Sequence, residues 1–325
     1  MGPVPDNSAV LILGGAGFIG SHIAARFVDE GYRVTVIDGL LDRTGGRLSN
    51  LEGIQSQIEF IQMDVRAVPD LDRHLDANDV VIDSMAWTAH RDALNDPSYD
   101  LSLNVECHLH LMPLLNDKAC KVIYLGSRGQ YGNPPVEKIR EDTPAIPLDI
   151  QGIHKVATES YYRIFSAHFG FPTVNLLLPN CYGENQPVSG TDVGLVGMFL
   201  RELIQGKTVN VFGGDRLRYL AYAGDVAAVV FRLSRKEYTG FNRINLAGFR
   251  ISIEELVKTM IEVIGCGDYV LEDIPEEIRL MDMGNALIDQ QKCQEWLGEV
   301  PLSELKPTLE NTAAYFRETM DDSAL

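Results

Sequence analysis

The sequence predicts an α/β protein: a doubly wound parallel sheet, followed by a smaller C-terminal α/β unit. Three observations carry this reading. Short apolar runs alternate with amphipathic helical segments up to Leu178, a glycine-rich turn joins the first run to the first helix, and the elements become shorter from Glu184 onward.

Composition narrows the function classes. With 45% hydrophobic residues in 325, the chain can bury a large core. A net charge of −18 opposes nucleic acid and membrane surfaces as partners, because phosphates are repelled, and favours small-molecule chemistry. Five dispersed cysteines, Cys107, Cys120, Cys181, Cys266 and Cys293, form no Cys-x-x-Cys pair, so neither a metal site nor a disulfide framework is expected. No apolar run approaches the roughly 18 residues of a membrane span, and Met1 to Ser8 lacks a basic stretch leading into an apolar one. A cytoplasmic location is the expectation.

The first strand is read at Ala9 to Leu13, ending in Gly14, Gly17 and Gly20, with Phe18 and Ile19 opening a helix that runs to Glu30. A second apolar run, Val34 to Ile37, ends at Asp38, 18 positions after Gly20. Glycines at a strand-to-helix turn let the backbone approach a pyrophosphate at the helix N-terminus, and an acid at the next strand tip accepts from a ribose 2′-hydroxyl. This is the Rossmann-type arrangement. Arg43, in the loop Gly39 to Gly53, would suit a 2′-phosphate, but Asp38 would repel one, so the expected cofactor is NAD.

Further strands are read at Ile58 to Met63, ending in Asp64-Val65, and at Asp79 to Asp83, ending in Ser84-Met85-Ala86. Another spans Lys121 to Leu125 and leads into Gly126 to Gly132. Strand ends are where open α/β sheets bind ligands, which places Asp64, Val65, Met85 and Ala86 against the cofactor. Thr88 and His90 follow in a loop beside the expected substrate. A striped helix, Leu101 to Leu115, contains Asn104. The proline-bearing segment Pro134 to Leu148 reads as a loop. A long helix is expected from Ile150 to Phe169, a strand from Thr173 to Leu178 and a turn from Pro179 to Gly183.

Beyond it come a helix near Val193 to Gln205, a strand at Val209 to Phe212, a loop at Gly213 to Arg218 and a helix at Asp225 to Ser234. A strand at Arg243 to Leu246 and helices at Ile253 to Ile264, Gln290 to Leu297 and Leu302 to Met320 complete the chain. Residues 1–178 are read as the NAD-binding unit, with return segments near 219–247, and residues 179–325 as the substrate-binding unit.

These motifs together resemble the extended short-chain dehydrogenase/reductase family, especially its nucleotide-sugar epimerases and dehydratases. The match runs through Gly14 to Gly20, Asp38, Asp64-Val65, Asn104-Val105, Ser127, Tyr131-Gly132, Lys155 and Asn180-Cys-Tyr182-Gly183. It continues through Gly213 to Arg218, Gly224-Asp225-Val226, Ile244-Asn245-Leu246 and Trp296-Leu297-Gly298.

In that family a Ser or Thr, a Tyr and a Lys act together, with the Tyr one helical turn before the Lys, so that both side chains face the cleft. Here Ser127 and Lys155 stand at their stations, but Gln151 occupies the tyrosine station. A carboxamide orients a hydroxyl and does not titrate usefully, so another group must carry the proton. His90 and Tyr182 are the candidates, with His154 turned roughly 100° away from Lys155.

The resemblance also implies that Asn104 serves the cofactor site and that Asn180, Arg218 and, more loosely, Arg279 hold a nucleotide diphosphate. The acids that the family's dehydratases and decarboxylases place after the serine are replaced by Arg128-Gly129, which leaves epimerase-like or ketoreductase-like chemistry. The expected function is therefore NAD-dependent hydride transfer on a nucleotide-linked or similarly anionic sugar. The alternative is a catalytically silent NAD-binding sensor or scaffold. The apolar stripes of helices 101–115 and 150–169 suggest a homodimer.

Overall fold

In a computed structural model of the chain, described over residues 8–322 except 68–70, 76–77, 117, 119 and 191–192, seven parallel strands form one sheet. The segment read for a targeting signal lies outside the described residues except for Ser8. The strands are β1 (Ala9–Leu13), β2 (Arg33–Asp38), β3 (Ile58–Gln62), β4 (Val80–Asp83), β5 (Lys121–Ser127), β6 (Thr173–Leu178) and β9 (Phe241–Asn245). Their order across the sheet is β9-β6-β5-β4-β1-β2-β3. The strand sequence reverses direction between β1 and β4, and ligands bind at such a switch point.

Every residue of β1, β4 and β6 is buried, as a sheet covered on both faces requires. One face packs under α1 (Phe18–Asp29) and α4 (Ala223–Ser234), where Ile23, Phe27, Val230 and Phe231 meet Val10, Ile12 and Val36. The other packs under α2 (Ile150–Phe169) and the helical stretch from Pro97 to Leu115, with Leu111, Met112 and Tyr162 against Leu11, Val81 and Val122.

Between α2 and β9 come β7 (Asn180–Tyr182), α3 (Gly194–Ile204) and β8 (Leu217–Tyr222); after β9 follow β10 (Phe249–Ser252), α5 (Ile253–Ile264) and α6 (Leu305–Asp322). β8 runs parallel to β7 and antiparallel to β10. Around Leu200, Leu203, Leu256, Met260 and Phe316 the three helices build a second core of their own.

Most elements fall where periodicity puts them, and the exceptions have physical causes. Residues 180–182, expected as a turn, are a strand because Leu220 to Tyr222 offer them a ladder. The expected loop Gly213 to Arg218 yields its last two residues to β8, which the interrupted apolar pattern hides. The loop Gly39 to Gly53 gives way at Leu48 to a 3₁₀ helix, Leu48–Gln57. The helix expected from Leu101 begins at Pro97, capped by Asp96, and widens to a π-turn over Ser102–Glu106. His90, expected in a loop, opens a short helix.

Candidate active site

The turn after β1 owes its shape to its glycines. Gly14 has φ +73°, and a Cβ at Gly20 would lie 2.3 Å from the Gly14 carbonyl oxygen, so only glycine fits there. The result is a close approach of backbone to the open N-terminus of α1, lined by Gly14, Gly17, Phe18, Ile19 and Gly20. At the tip of β2, Asp38 accepts from the Ala16 N–H at 3.0 Å and the Leu40 N–H at 2.9 Å. Its carboxylate keeps lone pairs for a ligand's hydroxyls and lines the same cleft. Burial pushes its pKa up, and these two N–H groups oppose the shift. Cradle and carboxylate fit a dinucleotide with a free 2′-hydroxyl.

Asp64, Val65, Met85, Ala86 and Thr88 continue the wall. Asp64 is held by Arg66, whose Nη2 donates to it at 2.6 Å, and this contact pulls its carboxyl below the ordinary range.

The wall that carries Ser127, Gln151 and Lys155 is built by β5 and α2. Ser127 caps the short 3₁₀ turn Arg128–Tyr131: the Gly129 N–H donates to Ser127 Oγ at 3.0 Å and the Ser127 N–H donates to Gln130 Oε1 at 3.0 Å. Ser127 Oγ thus accepts from the backbone and has its own proton to offer a substrate oxygen. Gln130 donates in turn to the buried Glu159, which also receives Asn175 Nδ2 at 2.8 Å and the Arg243 guanidinium. Nothing in the local pattern marked this brace, which joins residues far apart in the chain.

Asp149 starts α2, accepting from the Gly152 N–H at 2.6 Å and contacting His90 Nδ1 at 2.8 Å. Burial raises the Asp149 carboxyl, but the His90 contact and the Gly152 N–H outweigh it and leave it below its ordinary value. One helical turn separates Gln151 from Lys155, and both line the cleft. Gln151 Nε2 donates to the Trp87 carbonyl at 2.9 Å. Lys155 Nζ donates to the Leu125 carbonyl at 3.0 Å and sits over the Tyr124 ring. Burial pushes the Lys155 ammonium down to about 8, while Asp83 holds it from falling further. Beneath it, Asp83 takes Tyr162 Oη at 2.5 Å and His108 Nδ1 at 2.6 Å, a fully buried group that sequence reading did not single out.

Asn180 and His90 also line the cleft, together with Gly45, Gly46, Gly194 and Leu195. The pair Gly45-Gly46, lying within a loop read as bordering the cofactor, was the one available signal for these last four.

Five expected site residues stand outside the cleft wall. Tyr182 is buried against the second core with its hydroxyl 2.7 Å from Thr308 Oγ1, and burial pushes it up to about 12, so it is not placed to carry a proton. Arg43 pairs with Asp96 at 3.0 Å and stacks on Trp87 and Tyr99, which turns it from the cofactor toward the protein. Asn104 is fully buried, accepting from the Trp87 N–H at 3.2 Å and donating to the Trp87 carbonyl at 2.8 Å; it braces the loop that meets Gln151. Arg218 pairs with Asp282 at 2.9 Å, and Arg279 donates to the Ile274 carbonyl at the surface. His154 is turned away from the cleft onto Asp100. The thiol of Cys181, on the cleft wall, is pushed up to about 12 by burial and is inert.

A glycine cradle, a carboxylate that suits a ribose hydroxyl and a serine and lysine converging on one cleft fit an NAD-dependent enzyme of the short-chain dehydrogenase/reductase class. Residues 10–247 match the model of the NAD dependent epimerase/dehydratase family, and the chain belongs to that family. It is 29% identical over 304 residues to a putative UDP-glucose 4-epimerase of Methanocaldococcus jannaschii, covering 91% of this chain and 95% of that one. To a UDP-glucose 4-epimerase of Mycolicibacterium smegmatis it is 28% identical, covering 94% and 98%. Among solved structures, the UDP-glucose 4-epimerase of Thermotoga maritima with UDP-glucose superposes with a TM-score of 0.84 at 26% identity, over 96% and 99% of the two chains. The UDP-N-acetylglucosamine 4-epimerase of Methanobrevibacter ruminantium shares the fold with a TM-score of 0.87 at 23% identity, over 97% and 99%. NAD is the cofactor. Among the described residues, no helix is long and apolar enough to cross a membrane.

Proposed function

We propose that the protein transforms a nucleotide-linked sugar by hydride transfer at a carbinol carbon, in epimerase-like or ketoreductase-like fashion, with an atypical proton carrier. The observation that carries this reading is the convergence of Ser127, Gln151 and Lys155 on the cleft that Gly14 to Gly20 and Asp38 share. When bound there, NAD supplies reversible hydride chemistry. Ser127 polarises the reacting oxygen through its free O–H, and Gln151 orients the sugar hydroxyl without exchanging its proton. Lys155 binds the nicotinamide ribose and sets the local field. His90, held by Asp149 at the cleft mouth, is the titratable group left to relay a proton. Asn180, on the cleft wall, is the group that meets the nucleotide diphosphate.

Residues 1–178, with return segments near 219–247, serve as the NAD-binding unit and residues 179–325 as the substrate-binding unit. Two copies pair through helices 101–115 and 150–169, where Ile153 and Ile164 leave 50% and 57% of their surface open on one helical face.

The test is to purify the protein, read bound NAD or NADH by absorbance and follow UDP-glucose and related nucleotide sugars by NMR. A protein with neither bound nor exchangeable dinucleotide would refute the reading. The hydrogen bond that occupies the Gln151 amide favours one second reading, an NAD-binding sensor or scaffold without turnover. Bound NAD with no product from any nucleotide sugar would select it.

A further inference from the structure

Trp87, in the loop after β4, holds two parts of the site at once. Its neighbours Ala86 and Thr88 line the cleft, and Trp87 itself is fully buried. On one side its indole Nε1–H donates to the Arg43 carbonyl at 2.8 Å, the Arg43 guanidinium lies 4.8 Å from the ring centroid, and Tyr99 meets the ring edge-on with 4.8 Å between centroids. On the other, its main-chain carbonyl accepts Gln151 Nε2 at 2.9 Å. Asn104 fixes the main chain between them, accepting the Trp87 N–H at 3.2 Å and donating to the same carbonyl at 2.8 Å.

The segment held by the indole borders the cleft beside Asp38, where Gly39, Leu41, Thr44, Gly45 and Gly46 line it. Leu40 and Arg43 there have φ +47° and +66°. Side chains other than glycine rarely adopt that region, and it persists only where the surroundings over-determine it. Trp87 and Tyr99 supply those surroundings. Besides the indole bond, Tyr99 Oη donates to the Asp42 carbonyl at 2.8 Å, and Leu41 packs against the cluster of Trp87, Ala93 and Leu103. Ile150, next to Gln151 in α2, packs against that same cluster. At its far end the segment is tied to the glycine turn, since the Arg47 N–H and Asn50 Nδ2 both donate to the Ala16 carbonyl, at 3.0 and 2.8 Å. A close-packed ring transmits a displacement rather than absorbing it. A shift of the segment therefore reaches Gln151 through one side chain and one main-chain carbonyl.

We propose that Trp87 is a positioning residue that couples the cofactor-bordering segment 39–46 to Gln151, so that seating of the dinucleotide and anchoring of the Gln151 amide stabilise each other. The coupling is reciprocal: loosening either end loosens the other. What Gln151 does for a substrate rests on the reading above, whereas the coupling acts on NAD binding alone.

The test follows exchange of bound NAD for labelled NAD in wild type, Trp87→Phe, Gln151→Ala and the double variant, with no sugar present. Trp87→Phe keeps a ring and removes the indole donor. Each single variant is expected to speed exchange at least about twofold, the scale of one hydrogen bond, and the double variant to be no faster than Trp87→Phe. Two factors that multiply in the double variant mean independent, merely structural contacts and overturn the coupling, as does a single variant within about twofold of wild type. Neither result bears on the proposed function, which turnover of nucleotide sugars reports; a wild type that binds no NAD overturns both. Where Trp87→Phe fails to fold, the coupling is read on the indole itself. The chain's two tryptophans give two indole N–H signals, and Trp296→Phe identifies that of Trp87. NAD is expected to slow solvent exchange of this N–H, and to slow it less in Gln151→Ala; equal slowing in both, or none, overturns the proposal.

Discussion

Gln151 donates its side-chain amide to the main-chain carbonyl of Trp87 at 2.9 Å, one helical turn before Lys155 and on the same wall of the cleft. The group at the expected tyrosine station is therefore anchored to the loop after β4, and its orientation is set by the same carbonyl that Asn104 holds from the other side. This explains how the site keeps its shape without a titrating hydroxyl.

Restoring that hydroxyl is expected to raise turnover. A positioned acid–base group contributes typically about 10²- to 10⁴-fold, and Ser127 and Lys155 already face the cleft. Gln151→Tyr, assayed by NMR on whichever nucleotide sugar the wild type converts, is expected to increase kcat at least about tenfold, short of the full contribution because the Trp87 carbonyl loses a donor. A lower kcat with NAD binding intact would show that this site has been rebuilt around the amide.

Lys155 makes the pH dependence of stability specific. Its folded-state value is about 8 against an ordinary 10.5. Between these values the unfolded chain holds a proton that the folded chain has released, so this group's contribution to stability rises with pH across that window. Below about 8 both states are protonated and the penalty of burying the ammonium is felt in full. Urea unfolding of wild type and Lys155→Met from pH 7 to 10 is expected to show the wild type gaining on the variant with increasing pH, by up to about 1.4 kcal/mol per pH unit. A difference flat with pH would contradict the buried-ammonium account.

The cradle tolerates no side chain at Gly20. A Cβ there would sit 2.3 Å from the Gly14 oxygen and 2.8 Å from Gly15 Cα, both backbone atoms of the same turn. Gly20→Ala is expected to cost roughly 1 to 3 kcal/mol of stability, as overpacking does, and to abolish retention of NAD through purification. The midpoint of urea unfolding and the absorbance of the purified protein report the two effects.

The exposed stripe on α2 tests the pairing. Replacing Ile164, more than half exposed, places a charge where a second copy would pack. Light scattering is expected to give a dimer mass for wild type at micromolar concentration and a monomer mass for Ile164→Glu, with the unfolding midpoint of the isolated chain little changed. A monomeric wild type would remove the interface.

Much of the architecture was legible because it is written locally. α1, α2 and α5 repeat their apolar residues at helical spacing, and β1, β4 and β6 are short runs whose one charged residue is Asp83, at the end of β4. β7 and β8 were hidden because each is a strand only in the presence of its partner. Glycine spacing and the single turn between Gln151 and Lys155 pointed to residues that line one cleft. The Gln130–Glu159–Arg243 brace and the Asp83–His108–Tyr162 group left no local mark, since each joins three or more segments.

By itself the sequence determined the parallel sheet, the glycine turn at Gly14 to Gly20 and the absence of a tyrosine within one turn before Lys155, because each depends on residues within a strand or a turn of helix. Only the tertiary structure decided that Tyr182 turns into the second core, that Arg43 is spent on Asp96, Trp87 and Tyr99, and that Arg128 is left buried beside an already paired Arg218. Where a side chain points, and whether its charge is answered, is set by neighbours distant in the chain.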